Sequence, residues 1–370
     1  MQKHLMSSKQ AICILILFTL GSSLVTGVNT DAKQDSWITI LIALLMFLPL
    51  MLAYARIVNL YPGQDFYTIA IDVFGKVAGK IVVFLYVLYS IHLGALVMRN
   101  FSEFIEIVTM PETPQFILLL FMLGLCVWMS KSGVETLGSW AKFAVPVVVF
   151  AILITTFMSL SFMNFSNIRP VVGIDFGTLM GSSFATFSFP FAETVLFSAL
   201  FCAVEPNGNP FKIYIVGTGV AAAALLTVVL RNILVLGVPT MTMYFFPSYS
   251  SNGVISLGDF FTRLEVLSGM VFMIAGFVKI SVCMFSASMG ISKIINIQNS
   301  KNVAVPVGLL MMTLAETIYK NTGEMFNWLN VYKYYAIPFQ IVLPLAVLAG
   351  AEIKTRIRKL TAAQSAGQQQ

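Results

Sequence analysis

The sequence predicts an all-α polytopic membrane protein of ten transmembrane helices. One membrane domain covers residues 1–351, and a basic, then polar cytoplasmic tail covers 352–370. Three observations lead there. Hydrophobic residues make up 58% of the 370-residue chain and charged residues 10%, with a mean hydropathy of +0.87. Long apolar runs recur, with no polar stretch between them long enough for a soluble domain. Two of these runs are interrupted: the first carries Gly21-Ser22-Ser23 at its middle, and the sixth carries Phe187-Ser188-Phe189-Pro190 followed by Glu193. A lipid-embedded helix must satisfy its own backbone, so a break at mid-membrane is tolerated only where it lines a protein cavity or a ligand. Breaks in corresponding helices of two repeats point to a transporter-type binding site.

Taken in order, the spans fall at 10–29, 36–58, 77–108, 113–130, 139–163, 177–204, 212–238, 264–291, 303–319 and 331–351. The first follows Lys3 and Lys9 in the manner of a signal peptide. Its apolar run, however, continues past Gly21 to Val28, and no small-x-small cleavage site precedes a polar start. Span three is long and expected to tilt, whereas spans four and nine are short. Between spans seven and eight lies the one substantial loop, Thr240 to Arg263. There Leu257, Phe260, Phe261 and Leu264 fall at helical spacing, as in a short amphipathic helix lying over the outer mouth, either as a gate or as a plain interfacial loop.

Charge placement sets the orientation. With the N-terminus inside, the inner loops hold fourteen Lys and Arg: Lys3, Lys9, Arg56, Lys76, Lys80, Lys131, Lys142, Lys212, Lys293, Lys301, Lys354, Arg356, Arg358 and Lys359. The outer side holds six: Lys33, Arg99, Arg169, Arg263, Lys320 and Lys333. This asymmetry favours both termini inside. It also accounts for the net charge of +6 without nucleic acid. The last four basic residues follow an apolar helix directly, a pattern that attracts anionic membrane lipid.

Cys13, Cys126, Cys202 and Cys283 all sit within apolar segments without CxxC spacing and read as buried free thiols. With only His4 and His92 for imidazole ligands, no metal or other cofactor is expected. Walker A, dinucleotide, HExxH and GxSxG motifs are missing, which argues against an enzyme.

The two breaks are the candidate binding elements. Unwound backbone at Gly21, Ser22 and Ser23 would expose N–H and C=O groups, and small residues would let a ligand approach them. Small residues also serve close helix packing. Pro190 frees a carbonyl one turn earlier, and the flanking aromatics can wall a pocket; an ordinary proline kink is the alternative. Glu193, Arg231 and Lys279 lie inside spans, where each costs at least a few kcal/mol unless paired or hydrated. Lys279 either holds the place of a bound cation or forms a structural pair with an acid such as Glu193. Arg99, Glu103 and Glu106 are spaced for pairing along one helix.

Several stretches resemble a known family, the spore germinant receptor B-subunits, or spore permeases. They are Tyr61-Pro62-Gly63, Gly75-Lys76-Val77-Ala78-Gly79-Lys80 and Arg99-Asn100-Phe101-Ser102-Glu103-Phe104, with Ile255 to Phe260 running on to Arg263-Leu264-Glu265. Ser188-Phe189 with Glu193 resembles the family's helix-six break, and Gly21 falls at the glycine of its helix-one break. The resemblance implies an APC-superfamily fold of two inverted five-helix repeats, similar to the leucine transporter, with a site between helices one, three, six and eight. It implies a germinant-sensing role in the inner membrane of bacterial spores, beside an A subunit and a lipoprotein C subunit. One departure is Phe191, where the family commonly has glycine.

The expected function is that of a ligand-binding membrane subunit sensing a small nutrient such as an amino acid. Gly21, Ser22 and Ser23 would hold the ligand's polar end. Ser188, Phe189 and Phe191 would shape a side-chain pocket, with Tyr89 contributing from span three. Lys279 and Glu193 would tune or replace an ion site. An active proton-coupled amino-acid transporter would need the same pocket; a channel-like or purely scaffolding subunit is a third class, which a ligand-binding assay separates from both.

Overall fold

Continuous apolar sequence in lipid leaves the helix as the way to satisfy each backbone group within its own segment. The computed structural model describes residues 5–26, 30–254 and 263–367, and the chain is helical nearly throughout. The first helix, α1 (Ser8–Leu20), starts on a capping box: the Ser7 hydroxyl accepts from the Gln10 N–H, while the Gln10 side chain accepts from the Ser7 N–H. It ends at Gly21, and one short turn, α2 (Ser23–Thr26), resumes beyond the break. Next come α3 (Ser36–Leu60), α4 (Phe66–Val108), α5 (Gln115–Ser132) and α6 (Val134–Met158). Helix α7 (Phe176–Thr186) runs into a π-turn over Phe187–Phe191 and a 3-10 stretch over Ala192–Ala203.

After it follow α8 (Pro210–Met241), α9 (Pro247–Gly253), α10 (Glu265–Ile295), α11 (Ala304–Thr317), α12 (Thr322–Tyr335) and α13 (Leu343–Gly367). Among the described residues, eight helical segments are long and apolar enough to cross a membrane. Helices α1 and α11 are shorter, at 13 and 14 residues.

The run from Phe66 to Val108 is two helical pieces, broken at Gly75 (φ +82°, ψ 176°), a non-helical conformation that favours glycine, and the second piece fits the predicted span three at 77–108. The tenth span begins at Thr322 rather than 331. The predicted tail is helical to Gly367, since its Lys, Arg, Leu, Ala and Gln residues propagate a helix already nucleated in the membrane. Side-chain pairs pin that extension: Arg56 meets Glu352 at 2.7 Å, and Lys354 and Arg358 each meet Asp72 at 3.0 Å. Arg356 and Lys359 take no part in these pairs.

The amphipathic stretch predicted at Leu257, Phe260 and Phe261 lies outside the described residues; Leu264 is buried at the start of α10. Upstream of it, Phe246 stands edge-on to Phe104 of α4 and Phe326 of α12, with centroids 5.1 and 6.3 Å away. Asp175 caps α7; hydrogen bonds from Thr178 hold its carboxyl below the usual carboxylate range. The cysteines carry free thiols.

Helix α1 is packed against α6, α8 and α10, with every residue from Ile14 to Leu20 buried. Helices α4 and α10 pack along each other over most of their length. The two broken segments are thereby held against α4, α10 and the α12–α13 run.

Candidate functional site

Gly21 sits at φ +28°, ψ −125°, in a region that L side chains rarely adopt. Space is limiting too. A Cβ built there would overlap Lys279 Cδ and lie 3.0 Å from the Phe18 carbonyl oxygen. The missing side chain is therefore what admits the Lys279 stem from α10 to the break in helix one. Ser22 and Ser23 are buried, and Ser23 donates to the Leu20 carbonyl at 2.7 Å, back into the helix it follows.

The second break is built differently. Phe189 is extended (φ −125°, ψ 114°), and the N–H of Ala192 reaches back five residues to the Phe187 carbonyl. Pro190 cannot donate, so the ladder is open here. Gln340, from the π-turn over Pro338–Val342, fills the gap with its side-chain amide. Its Nε2 donates to the Ser188 carbonyl at 3.0 Å, and its Oε1 accepts from the Ser188 hydroxyl at 2.9 Å. The Gln340 carbonyl accepts from Tyr54 of α3 at 2.5 Å.

From Gln340 a single polar chain runs to the other break. Gln340 Nε2 also donates to the Tyr89 hydroxyl at 2.9 Å, and Tyr89 lies 2.9 Å from the Tyr332 hydroxyl. Tyr332 donates to Glu193 Oε1 at 2.6 Å, which leaves Tyr89 as the donor to Tyr332. Glu193 Oε2 is ion-paired with Lys279, and both side chains are fully buried. The Lys279 ammonium also lies over the rings of Phe189 and Phe18, at 4.8 and 5.5 Å. Every bond along this chain points toward the carboxylate, the arrangement in which successive hydrogen bonds polarise and reinforce one another. In a dry interior, breaking such a pair from one side costs about 3–5 kcal/mol.

Beside the pair lies a narrow crevice of about 20 Å³, room for about one water molecule. Ser22, Phe189, Glu193 and Tyr332 line it, along with Asn100 of α4 and Trp328 of α12. Of the residues singled out from sequence, Ser22, Phe189 and Glu193 reach this crevice. Gly21 and Lys279 stand behind it, while Tyr89 and Ser188 belong to the polar chain. Phe191 is a correction: it does not line the crevice. Its ring is fully buried and stacked on Phe47 of α3, with centroids 6.1 Å apart and planes 19° apart, because Pro190 turns it toward the α3 interface.

Tyr332, Trp328 and Gln340 were missed. Gln340 had a signal, a lone amide two residues past Pro338 within an apolar span; Trp328 and Tyr332 lie before and at the predicted start of the tenth span and carry no such signal. Arg99 and Glu103 pair along α4 at 2.7 Å as their spacing suggests, and Arg99 also donates to the carbonyls that end α11. Glu106 joins no ion pair among the described residues. His92 packs edge-on against Trp328 and Tyr335. Among the described residues no cluster of His, Cys, Asp and Glu could hold a metal ion.

Solved structures with this architecture include membrane transporters. MHP1, a nucleobase-cation-symport-1 family transporter in a closed conformation with bromovinylhydantoin bound, matches with a TM-score of 0.70 at 10% identity, over 92% of this chain and 78% of its own. MhsT in complex with L-phenylalanine matches at 0.63 and 10%, over 92% and 87%. The fold is thus a polytopic helical membrane fold related to these transporters.

Sequence relatives are closer. Spore germination protein KB of Bacillus subtilis (strain 168) is 28% identical over 364 residues, 97% of this chain and 98% of its own. Spore germination protein GerQB of Bacillus cereus is 23% identical over 368 residues, 93% and 95%. The family model described as Spore germination protein matches residues 5–324, most of the chain and both helix breaks. This chain belongs to the spore germination protein family.

Proposed function

We propose that this chain is the ligand-binding membrane subunit of a bacterial spore germinant receptor, sensing a small nutrient such as an amino acid. The observation that carries the reading is the convergence of both helix breaks on one buried chain, Gly21–Lys279–Glu193–Tyr332–Tyr89–Gln340–Ser188, beside a crevice. In this reading the ligand enters between Ser22, Phe189 and Tyr332 and widens the crevice. Backbone groups around Gly21, Ser22 and Ser23 take its charged end. Lys279 supplies the positive charge that a coupling cation would otherwise bring. A ligand that competes for Glu193 or for the helix-one backbone shifts the pair, and the polar chain carries that shift to the second break.

Ten spans in two inverted five-helix repeats fit the two breaks and the transporter likeness, with α1–α2 and α11 as the shorter crossings. Residence in the spore inner membrane and assembly with A and C subunits belong to this reading as expectations of the family; the relatives' names carry the germination role alone. The test is binding of a labelled amino-acid panel to purified protein in lipid nanodiscs, beside Ser22→Phe, which occludes the crevice. Saturable binding lost in that variant is expected. No binding of any small nutrient, or equal binding in the variant, would sink the reading.

A proton-coupled amino-acid transporter is the second reading, favoured by a buried carboxylate joined to two tyrosines and a lysine. Uptake of labelled amino acid into proteoliposomes under a proton gradient separates it from a sensor.

A further inference from the structure

Three cations are buried among the described residues: Arg99, Arg231 and Lys279. Arg99 pairs with Glu103 and Lys279 with Glu193. Arg231 of α8, only 2% exposed, pairs with no carboxylate among the described residues. Its partners are all neutral. One terminal nitrogen donates to Thr155 Oγ1 of α6 at 2.9 Å, and the other donates to Asn232 Oδ1 at 3.1 Å and faces the Ser248 carbonyl at 3.5 Å. The Nε–H is buried and finds no acceptor among the described residues.

A guanidinium in this position keeps its charge, and an uncompensated buried charge is strongly unfavourable. Beside it lies a cavity of about 20 Å³, lined by Arg231, Thr155, Ser248 and Ser268, with apolar walls that include Leu24 and Val228. That volume suits one water or one monatomic ion. We propose that this cavity binds a chloride-sized monovalent anion beside the Arg231 guanidinium. The apolar walls disfavour a divalent or strongly hydrated anion such as sulfate. The site is separate from the Lys279 crevice, yet it bears on the same broken helix. Ser248 of α9 donates to the Leu24 carbonyl beyond the helix-one break, and Asn232 Nδ2 donates to Ser248 Oγ at 2.9 Å. A bound anion would therefore hold α6, α8, α9 and the outer turn of helix one together.

The experiment is thermal unfolding of the purified full chain in sodium chloride and in sodium gluconate at equal ionic strength. Wild type should show a saturable rise in Tm of about 2–4 °C with chloride. Bromide should reproduce the rise, and sulfate should not. Arg231→Gln should lose it. If that variant does not accumulate, Val228→Phe, which fills the cavity without touching the charge, should weaken the apparent chloride affinity several-fold. A wild type indifferent to chloride, or an Arg231→Gln protein with an unchanged chloride response, overturns the proposal. So does an indifferent wild type that becomes chloride-responsive in Asp259→Asn, which would make that carboxylate, in a segment outside the described residues, the counter-charge.

Discussion

The two helix breaks interrupt the same kind of apolar segment by opposite means. The first is made of small residues: Gly21 adopts a left-handed φ and yields its side-chain volume to Lys279. The second is made of large ones. Phe189 covers the Lys279 ammonium, Phe191 fills the α3 interface, and the open ladder is closed by the Gln340 side chain. Gly21 therefore tolerates no added atoms. The second break tolerates change in proportion to the packing or hydrogen bonds lost. An intruding side chain at Gly21 must displace a buried charge, whereas truncation at the second break leaves voids or unpaired polar atoms.

That contrast ranks the outcomes of mutation. Gly21→Leu should have the largest effect, abolishing germinant response while much of the protein still reaches the membrane. Spore germination assays with immunoblots of membrane fractions read both, and a well-expressed variant with normal response would show that the first break does not need to be bare. Next comes Lys279→Met. It leaves Glu193 buried without its cation and should lower stability by about 3–5 kcal/mol, with partial recovery in Lys279→Met/Glu193→Gln. Thermal unfolding of the singles and the double closes that cycle. The wild type, with its own ammonium at the break, should respond equally in sodium-free buffer; strict sodium dependence would remove Lys279 from the cation's place.

Phe191→Ala is expected to cost about 2–3 kcal/mol, the low end for a buried ring because lipid tails are as apolar as the ring itself. Its amino-acid preference should stay that of the wild type, since the ring faces Phe47. A shift toward bulkier ligands on an amino-acid panel would move Phe191 back to the crevice. Tyr332→Phe removes one donor to a buried carboxylate, worth about 1.5–3 kcal/mol. Its ligand response should suffer more than its Tm if the polar chain carries the signal, and equal, small losses would reduce the chain to scaffolding. Smallest is Ser188→Ala, about 1 kcal/mol, because the Gln340 amide keeps its bond to the Ser188 carbonyl.

Much of this was open to reading along the chain. Apolar runs locate helices because lipid leaves the backbone little alternative, so seven of the ten predicted spans each fall on one described helix, while the first, sixth and tenth run across two or more helical pieces. The breaks at Gly21 and Pro190 were visible for the same reason: glycine and proline act on their own backbone, and their effect is local. A buried Lys and a buried Glu announced themselves as costs that the fold must offset.

What pairs with what was decided only in three dimensions. Lys279 and Glu193 are 86 positions apart, and Gln340 meets Ser188 across 152. Helical periodicity says which face a residue occupies, not which helix stands opposite. The same is true of Phe191, whose bulk suggested a smaller pocket until the turn at Pro190 directed it to Phe47. It is true also of Arg231, whose cost was evident from its place in an apolar span, whereas its neutral neighbours and the cavity beside it arise from the meeting of α6, α8, α9 and α10. Local backbone chemistry is written residue by residue; the partners of a buried charge depend on how the helices pack, and packing is a property of the whole chain.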